Sequence, residues 1–202
     1  MKKYIFYIRL LIYLVPRFNF SIHSVKEFCI KRINHKPEDY HARFLLGELY
    51  RSEGKNREAI DEYKKLMQYG FNNIKIMYGL AKASFNAQRY IESQEYFRKV
   101  LETNPNNKAA IDYLGRINVI RNEYREAISY FEKSLNLERD DSLILENVAY
   151  CYYKIGDYAK SYEAYRKAFN LNPNSELKKD MDLAKSALEI SRNGLYKDES
   201  WK

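Results

Sequence analysis

The chain has 202 residues, 46% of them apolar and 31% charged, enough apolar side chains for a sizeable core and too many charges for an integral membrane protein. Only 7 glycines and 4 prolines exclude collagen, Pro-rich linkers and turn-dense β-sandwiches, and 2 cysteines, Cys29 and Cys151, exclude a disulfide scaffold. Lys and Arg outnumber Asp and Glu, 35 to 27, for a net charge of +8.

Residues 1–39 carry +5 of that charge. Tyr4 to Val15 is apolar apart from Arg9, and its twelve residues are too short to span a bilayer. Lys2 and Lys3 ahead of an apolar run suggest a signal peptide, but Arg9 interrupts the run and no small-x-small cleavage site follows Val15. Attachment to a membrane surface through Lys2, Lys3, Arg9 and Arg17 is a second reading.

From Tyr40 the sequence repeats with a period of 34, without insertions, over 40–73, 74–107, 108–141 and 142–175. The seventh position holds Leu46, Leu80, Leu114 and Val148. The eighth is small (Gly47, Ala81, Gly115, Ala149), as is the twentieth (Ala59, Ser93, Ala127, Ser161). The twenty-fourth is aromatic: Tyr63, Phe97, Phe131, Tyr165. Apolar residues recur at helical spacing, as in Leu145, Val148 and Tyr152. Turns such as Ser52-Glu53-Gly54-Lys55 and Lys154-Ile155-Gly156-Asp157 separate two helices in each unit. Small residues let the helices approach, the aromatic fills the space beside them, and stacked neighbours cover the remaining apolar face.

Leu46-Gly47-x-x-Tyr50 with Ala59-x3-Tyr63, and Val148-Ala149-x-x-Tyr152 with Ser161-x3-Tyr165 and Pro173, resemble the tetratricopeptide repeat (TPR) family. The usual tryptophan at the fourth position is replaced by Arg43, Met77, Ile111 and Leu145. The resemblance implies an all-α, right-handed superhelical solenoid of antiparallel helix pairs. Ser21 to Asp39 falls in phase with the second half of such a unit, with Val25, Cys29 and Pro37 at positions twenty, twenty-four and thirty-two. Residues 1–39 are therefore expected to form a degenerate TPR-like pair, with Ile12, Phe28 and Ile33 against the next helix. Tyr13 and Pro16 fit its first half poorly. After the repeats, Leu177, Met181, Ala184 and Leu188 form one stripe. They predict a capping helix over 176–194, stopped by Asn193-Gly194, with a frayed tail over 195–202.

The sequence has no P-loop, nucleophile elbow or zinc-protease motif. Cys29, His35 and His41 are too widely spaced for a metal site, and neither catalytic residues nor cofactors are expected. Charges of alternating sign over 40–175 read as a solvated surface and argue against nucleic acid.

The family resemblance implies that first helices line a concave groove. It assigns that groove Phe44, Tyr78, Asp112 and Glu146 at position five and Glu48, Lys82, Arg116 and Tyr150 at position nine. Arg51, Phe85 and Tyr153 follow at position twelve, with Lys75 at position two. Phe44 and Glu48 stand where a chaperone-type carboxylate clamp has Lys and Asn, which argues against that subtype. Aromatics around Lys75, Lys82 and Arg116 suit a partner peptide or helix that is acidic and carries apolar anchors. Two simpler roles compete: Asp112 and Arg116, four apart, pairing on the surface, and the Lys82 stem covering the Tyr78 ring. The expected function is a non-catalytic protein-interaction scaffold or adaptor in the cytoplasm. The alternative is a membrane-associated or exported scaffold anchored through residues 1–20.

Overall fold

A polar cap recurs every 34 residues and starts each first helix. In the computed structural model, which describes residues 22–198, Asp39, Asn73, Asn107 and Asp141 leave the helical conformation and their side chains accept from backbone N–H groups of the next turn. The helices so started are α2 (Tyr40–Ser52), α4 (Ile74–Asn86), α6 (Lys108–Ile120) and α8 (Ser142–Lys154). Their second helices are α3 (Asn56–Gln68), α5 (Tyr90–Thr103), α7 (Tyr124–Leu137) and α9 (Tyr158–Leu171). Ahead lies α1 (Ile22–His35), and α10 (Ser175–Asp198) follows. The described residues contain no strand.

Between the helices of a pair the chain reverses in a tight turn. Its central residue has positive φ in every case: Gly54 (75°), Gln88 (61°), Asn122 (60°) and Gly156 (82°). The next N–H closes the first helix by donating five residues back, as from Lys55 to Tyr50 (2.9 Å) and from Arg89 to Ser84 (2.8 Å). Two turns thus place a side chain where glycine is preferred.

The described residues divide into two compact units, one ending at Tyr96 and the other beginning at Phe97. In the first, Tyr63 is fully buried with Ile60, Leu66, Ile76 and Leu80. In the second, Phe131, Val148, Tyr165 and Leu177 share a core. Where position eight is alanine, position twenty is serine: Ser93 Oγ donates to the Ala81 carbonyl (2.8 Å) and Ser161 Oγ to that of Ala149 (2.9 Å). Arg43, in the place of the usual tryptophan, is buried against Glu62 at 2.5 Å and lies over the Tyr69 ring.

Three expectations change. Phe28 does not lie against α2. The stripe of α1 that does is Val25, Cys29 and Ile33, one helical face at spacings of four, and Phe28 is 60% exposed. Helix α10 does not stop at Asn193-Gly194, because Gly194 keeps a negative φ and forms no left-handed cap, so the helix runs to Asp198. Asp112 pairs with Lys108 (3.2 Å), while the Arg116 guanidinium sits over the Tyr113 ring. On α10, Leu177 and Ala184 are buried, and Met181 packs against the same core. Residues 6–20, the expected first half of the N-terminal pair, lie outside the described residues. Among those described, no helix is long and apolar enough to cross a membrane.

Two predictions follow from these turns and caps. Gln88→Gly relieves a left-handed side chain and should raise the unfolding free energy by about 0.5–1 kcal/mol, whereas Gly156→Ala should lower it by about 1 kcal/mol. Urea unfolding checks both, and a destabilising Gln88→Gly contradicts the reading. Asp39, Glu92 and Asp141 titrate below the ordinary carboxylate range. Burial opposes their ionisation but is outweighed by donors: the Ala42 N–H and Arg32, Lys64 and Ser84, and Lys108 with the Ile144 N–H, respectively. Depressed folded values stabilise the fold above the unfolded range and lose that stability as pH falls through them. The urea midpoint should therefore hold from about pH 8 to pH 5 and fall below about pH 4. A midpoint that rises on acidification contradicts this.

Candidate functional site

A shallow cleft of about 200 Å³ opens between α2 and α4 in the first unit. Its lining is Phe44, Glu48 and Arg51 from α2 and Lys75, Tyr78, Gly79 and Lys82 from α4. Phe44, Glu48 and Arg51, and likewise Lys75, Tyr78 and Lys82, sit at helical spacings of three, four or seven, so one face of each helix supplies the wall, with Gly79 beside Tyr78.

The floor is set by Tyr63. Its ring lies so close to two first helices that a Cβ on Gly47 would stand 2.9 Å from it, and one on Gly79 2.8 Å. Those glycines let the ring pass between the helices, and its hydroxyl donates to Glu48 Oε1. Glu48 also accepts from Arg51 Nη2 at 2.6 Å. Burial works against the Glu48 charge, but the donors Arg51 and Tyr63 and the positive charges of Arg51 and Lys82 hold its carboxyl below the ordinary range. Burial, with the Glu48 charge and hydrogen bond, pushes the Tyr63 phenol far up, so it stays a neutral donor.

The cations are not equivalent. Arg51 is committed to Glu48. Lys82 is half-buried with its ammonium 5.4 Å from the centre of the Tyr78 ring, the covering contact foreseen as the simpler role. Among the described residues no carboxylate comes within ion-pair distance of Lys82 or of the exposed Lys75. Burial first, and then the nearby Arg51 charge, lower the Lys82 pKa. Phe44 stacks on Tyr40, 5.8 Å between centres, and meets the Tyr63 ring at 6.0 Å.

Six of the twelve groove residues assigned from sequence thus meet around one cleft: Phe44, Glu48, Arg51, Lys75, Tyr78 and Lys82. Phe85, further along α4, packs edge-on against Tyr90 at 5.7 Å. The other five belong to the second unit. Asp112 serves Lys108, and Arg116 is exposed. Tyr150 is 40% exposed and meets Tyr124 edge-on at 6.2 Å, and Tyr153 does the same with Tyr158 at 5.4 Å. Glu146 is half-buried, and burial together with the charges of Asp180 and Glu176 raises its pKa. Gly79 was missed. Its signal was present as the residue directly after Tyr78, but position six has no small-residue preference in the other units, which carry Leu45, Tyr113 and Asn147 there. Both thiols are buried, and burial pushes Cys29 up to about 11 and Cys151 up to about 12.

No curated protein matches the sequence. Solved structures match the fold. A crystal structure of MamA aligns with a TM-score of 0.70 at 18% identity, over 74% of this chain and 88% of that one. YrrB, described as a TPR protein with an unusual peptide-binding site, aligns with a TM-score of 0.72 at 20% identity, over 89% and 87%. A double mutant of MamA from RS-1 aligns at 0.73 and 14% identity, over 82% and 92%. Family models described as tetratricopeptide repeat match residues 40–69, 74–107, 110–145 and 142–175. With the 34-residue period, the helix pairs and these matches in agreement, the chain belongs to the tetratricopeptide repeat family.

Proposed function

We propose that the protein is a non-catalytic interaction scaffold, and that the cleft between α2 and α4 holds an acidic segment of a partner protein with an apolar anchor. The observation that carries this is Lys82: a half-buried ammonium with no carboxylate within ion-pair distance among the described residues, feeling Glu48 only from further off, next to a second cation and above an aromatic ring. Such a group has lost part of its hydration without gaining an ion pair, and an incoming carboxylate restores the balance. Phe44 and Tyr78 offer rigid apolar area for a neighbouring side chain at low entropic cost. Glu48, held ionised, disfavours a second carboxylate on the α2 side and directs the anionic group toward Lys75 and Lys82 on α4.

Several features support a binding role over a chemical one. The carboxylate in the cleft is tied to Arg51 and Tyr63, and the phenol and both thiols are held protonated by burial. YrrB, of the same fold, is described as binding peptide. Among the residues assigned from sequence in the second unit, Arg116, Tyr150 and Tyr153 offer further contact area of the same kind.

Selection of a random peptide library on the immobilised protein tests this. Enriched peptides should carry Asp or Glu next to a bulky apolar residue. Lys82→Glu should raise their Kd at least about tenfold, roughly 1.4 kcal/mol, and Tyr78→Ala should weaken them without lowering the melting temperature. Binding should also weaken with added salt, because these charges lie at or near solvent. Peptides without acidic residues, or binding indifferent to Lys82→Glu, would overturn the assignment.

A further inference from the structure

Two helices of the second unit each leave an apolar face uncovered. On α8, Leu143 is 65% exposed and Tyr150 40%, and on α10, Leu183 is 54% exposed and Ile190 72%. Each pair stands seven residues apart, two turns along one helical face. Carboxylates join the two faces. Glu146 lies between Leu143 and Tyr150 on the α8 face, and Glu176 and Asp180 precede Leu183 by seven and three residues on the α10 face. Burial first, and then the charges of Asp180 and Glu176, raise the Glu146 pKa. Burial, Asp180 and Glu146, in that order, also push up the Tyr165 phenol of α9. The acids therefore converge where α8, α9 and α10 meet. Among the described residues no cation lies within ion-pair distance of any of the three. Two lysines stand at the borders of this surface. Lys179 projects about 100° round α10 from Asp180, and Lys154 lies by the Tyr150 ring, 5.8 Å from its centre.

We propose that this face of the second unit docks a basic amphipathic segment of a partner protein, with its apolar side chains on Leu143, Leu183 and Ile190 and a Lys or Arg at the corner of Glu146 and Asp180. Charge complementarity chooses this occupant. Glu146 is half-buried, has lost part of its hydration and faces two further carboxylates without a counter-charge. An incoming cation relieves that repulsion and gains charge-assisted hydrogen bonds. An acidic segment would add a fourth negative group to the corner, so the surface discriminates against it. A second copy of this chain is disfavoured for the same reason. A two-fold contact sets one face against its own copy and would bring three more carboxylates to these three. The exposed apolar residues at seven-residue spacing match the anchors of an amphipathic helix. The surface shares no residue with the cleft between α2 and α4, and its unbalanced charge has the opposite sign.

Selection of a random peptide library on the immobilised full chain tests this, run beside the variants Asp180→Lys, Leu183→Ser and Lys82→Glu. Peptides that combine Lys or Arg with Leu, Ile or Phe should be enriched on the wild type and equally on Lys82→Glu. For the strongest of them, Asp180→Lys and Leu183→Ser should each raise the Kd at least about tenfold. Circular dichroism melts of the two variants should match the wild type, since Leu183 lies at the surface and Asp180 at its edge. Glu163→Lys reverses an exposed carboxylate on α9 and should leave the Kd unchanged, which separates docking from general attraction to acidic groups. Three results would overturn the proposal. One is a wild-type selection without basic peptides, and another is basic peptides that bind Asp180→Lys and Leu183→Ser as tightly as the wild type. The third is self-association of the wild type in sedimentation that Leu183→Ser abolishes, which would assign the face to a second copy of the chain.

Discussion

The first unit depends on one contact, the Tyr63 ring lying directly on the backbones of Gly47 and Gly79. A ring in that position needs two hydrogen atoms where any other residue has a Cβ. It is in close contact with two helices, and dispersion gains follow from that density. The second unit repeats half of the arrangement with Phe131, where a Cβ on Gly115 would stand 2.5 Å from the ring but Asn147 stands at the position of Gly79. The serine at position twenty in the alternate units performs a related task with a hydrogen bond, tying the second helix to the first at the Ala81 and Ala149 carbonyls.

The same contact shapes the cleft. Because the ring passes between the glycines, its hydroxyl reaches Glu48 and fixes a carboxylate that in turn fixes Arg51. Phenylalanine occupies the equivalent place at 97 and 131 and has no hydroxyl to reach so far. A packing solution common to the repeats thus becomes, in one unit, a device that places charge. Arg51 is satisfied within the fold by Glu48, whereas Lys82, one helix away, lies over the Tyr78 ring.

The fold was legible because its constraints are local and periodic. Small residues at eight and twenty and aromatics at twenty-four state helix approach and ring insertion in the sequence itself. Phe44, Glu48, Arg51, Lys75, Tyr78 and Lys82, assigned from the family resemblance, line one cleft because helical spacing puts three of them on one face of α2 and three on one face of α4. Other features had a signal that attention to apolar positions passes over. The caps Asp39, Asn73, Asn107 and Asp141 keep the 34-residue period, as do the turn residues Gly54, Gln88, Asn122 and Gly156. The buried pair of Arg43 and Glu62 has no periodic trace, because position four is apolar in the other units, Met77, Ile111 and Leu145. In the sequence Arg116 was the partner offered for Asp112 and Lys108 was passed over, although it is also four residues away and reaches both Asp112 and Asp141. The length of α10 depended on the φ of Gly194, which residue type does not determine.

The central claim is that ring and glycine form one packing unit. A double-mutant cycle between Gly79→Ala and Tyr63→Leu, read as unfolding free energies, measures this directly. Gly79→Ala alone should cost about 1–3 kcal/mol by forcing a Cβ into the ring, and Tyr63→Leu alone should also destabilise. In the double variant the smaller side chain makes room for the methyl group, so the loss should fall short of the sum by about 1 kcal/mol or more. Additivity within about 0.3–0.5 kcal/mol would show that the two residues do not share the contact on which this account rests.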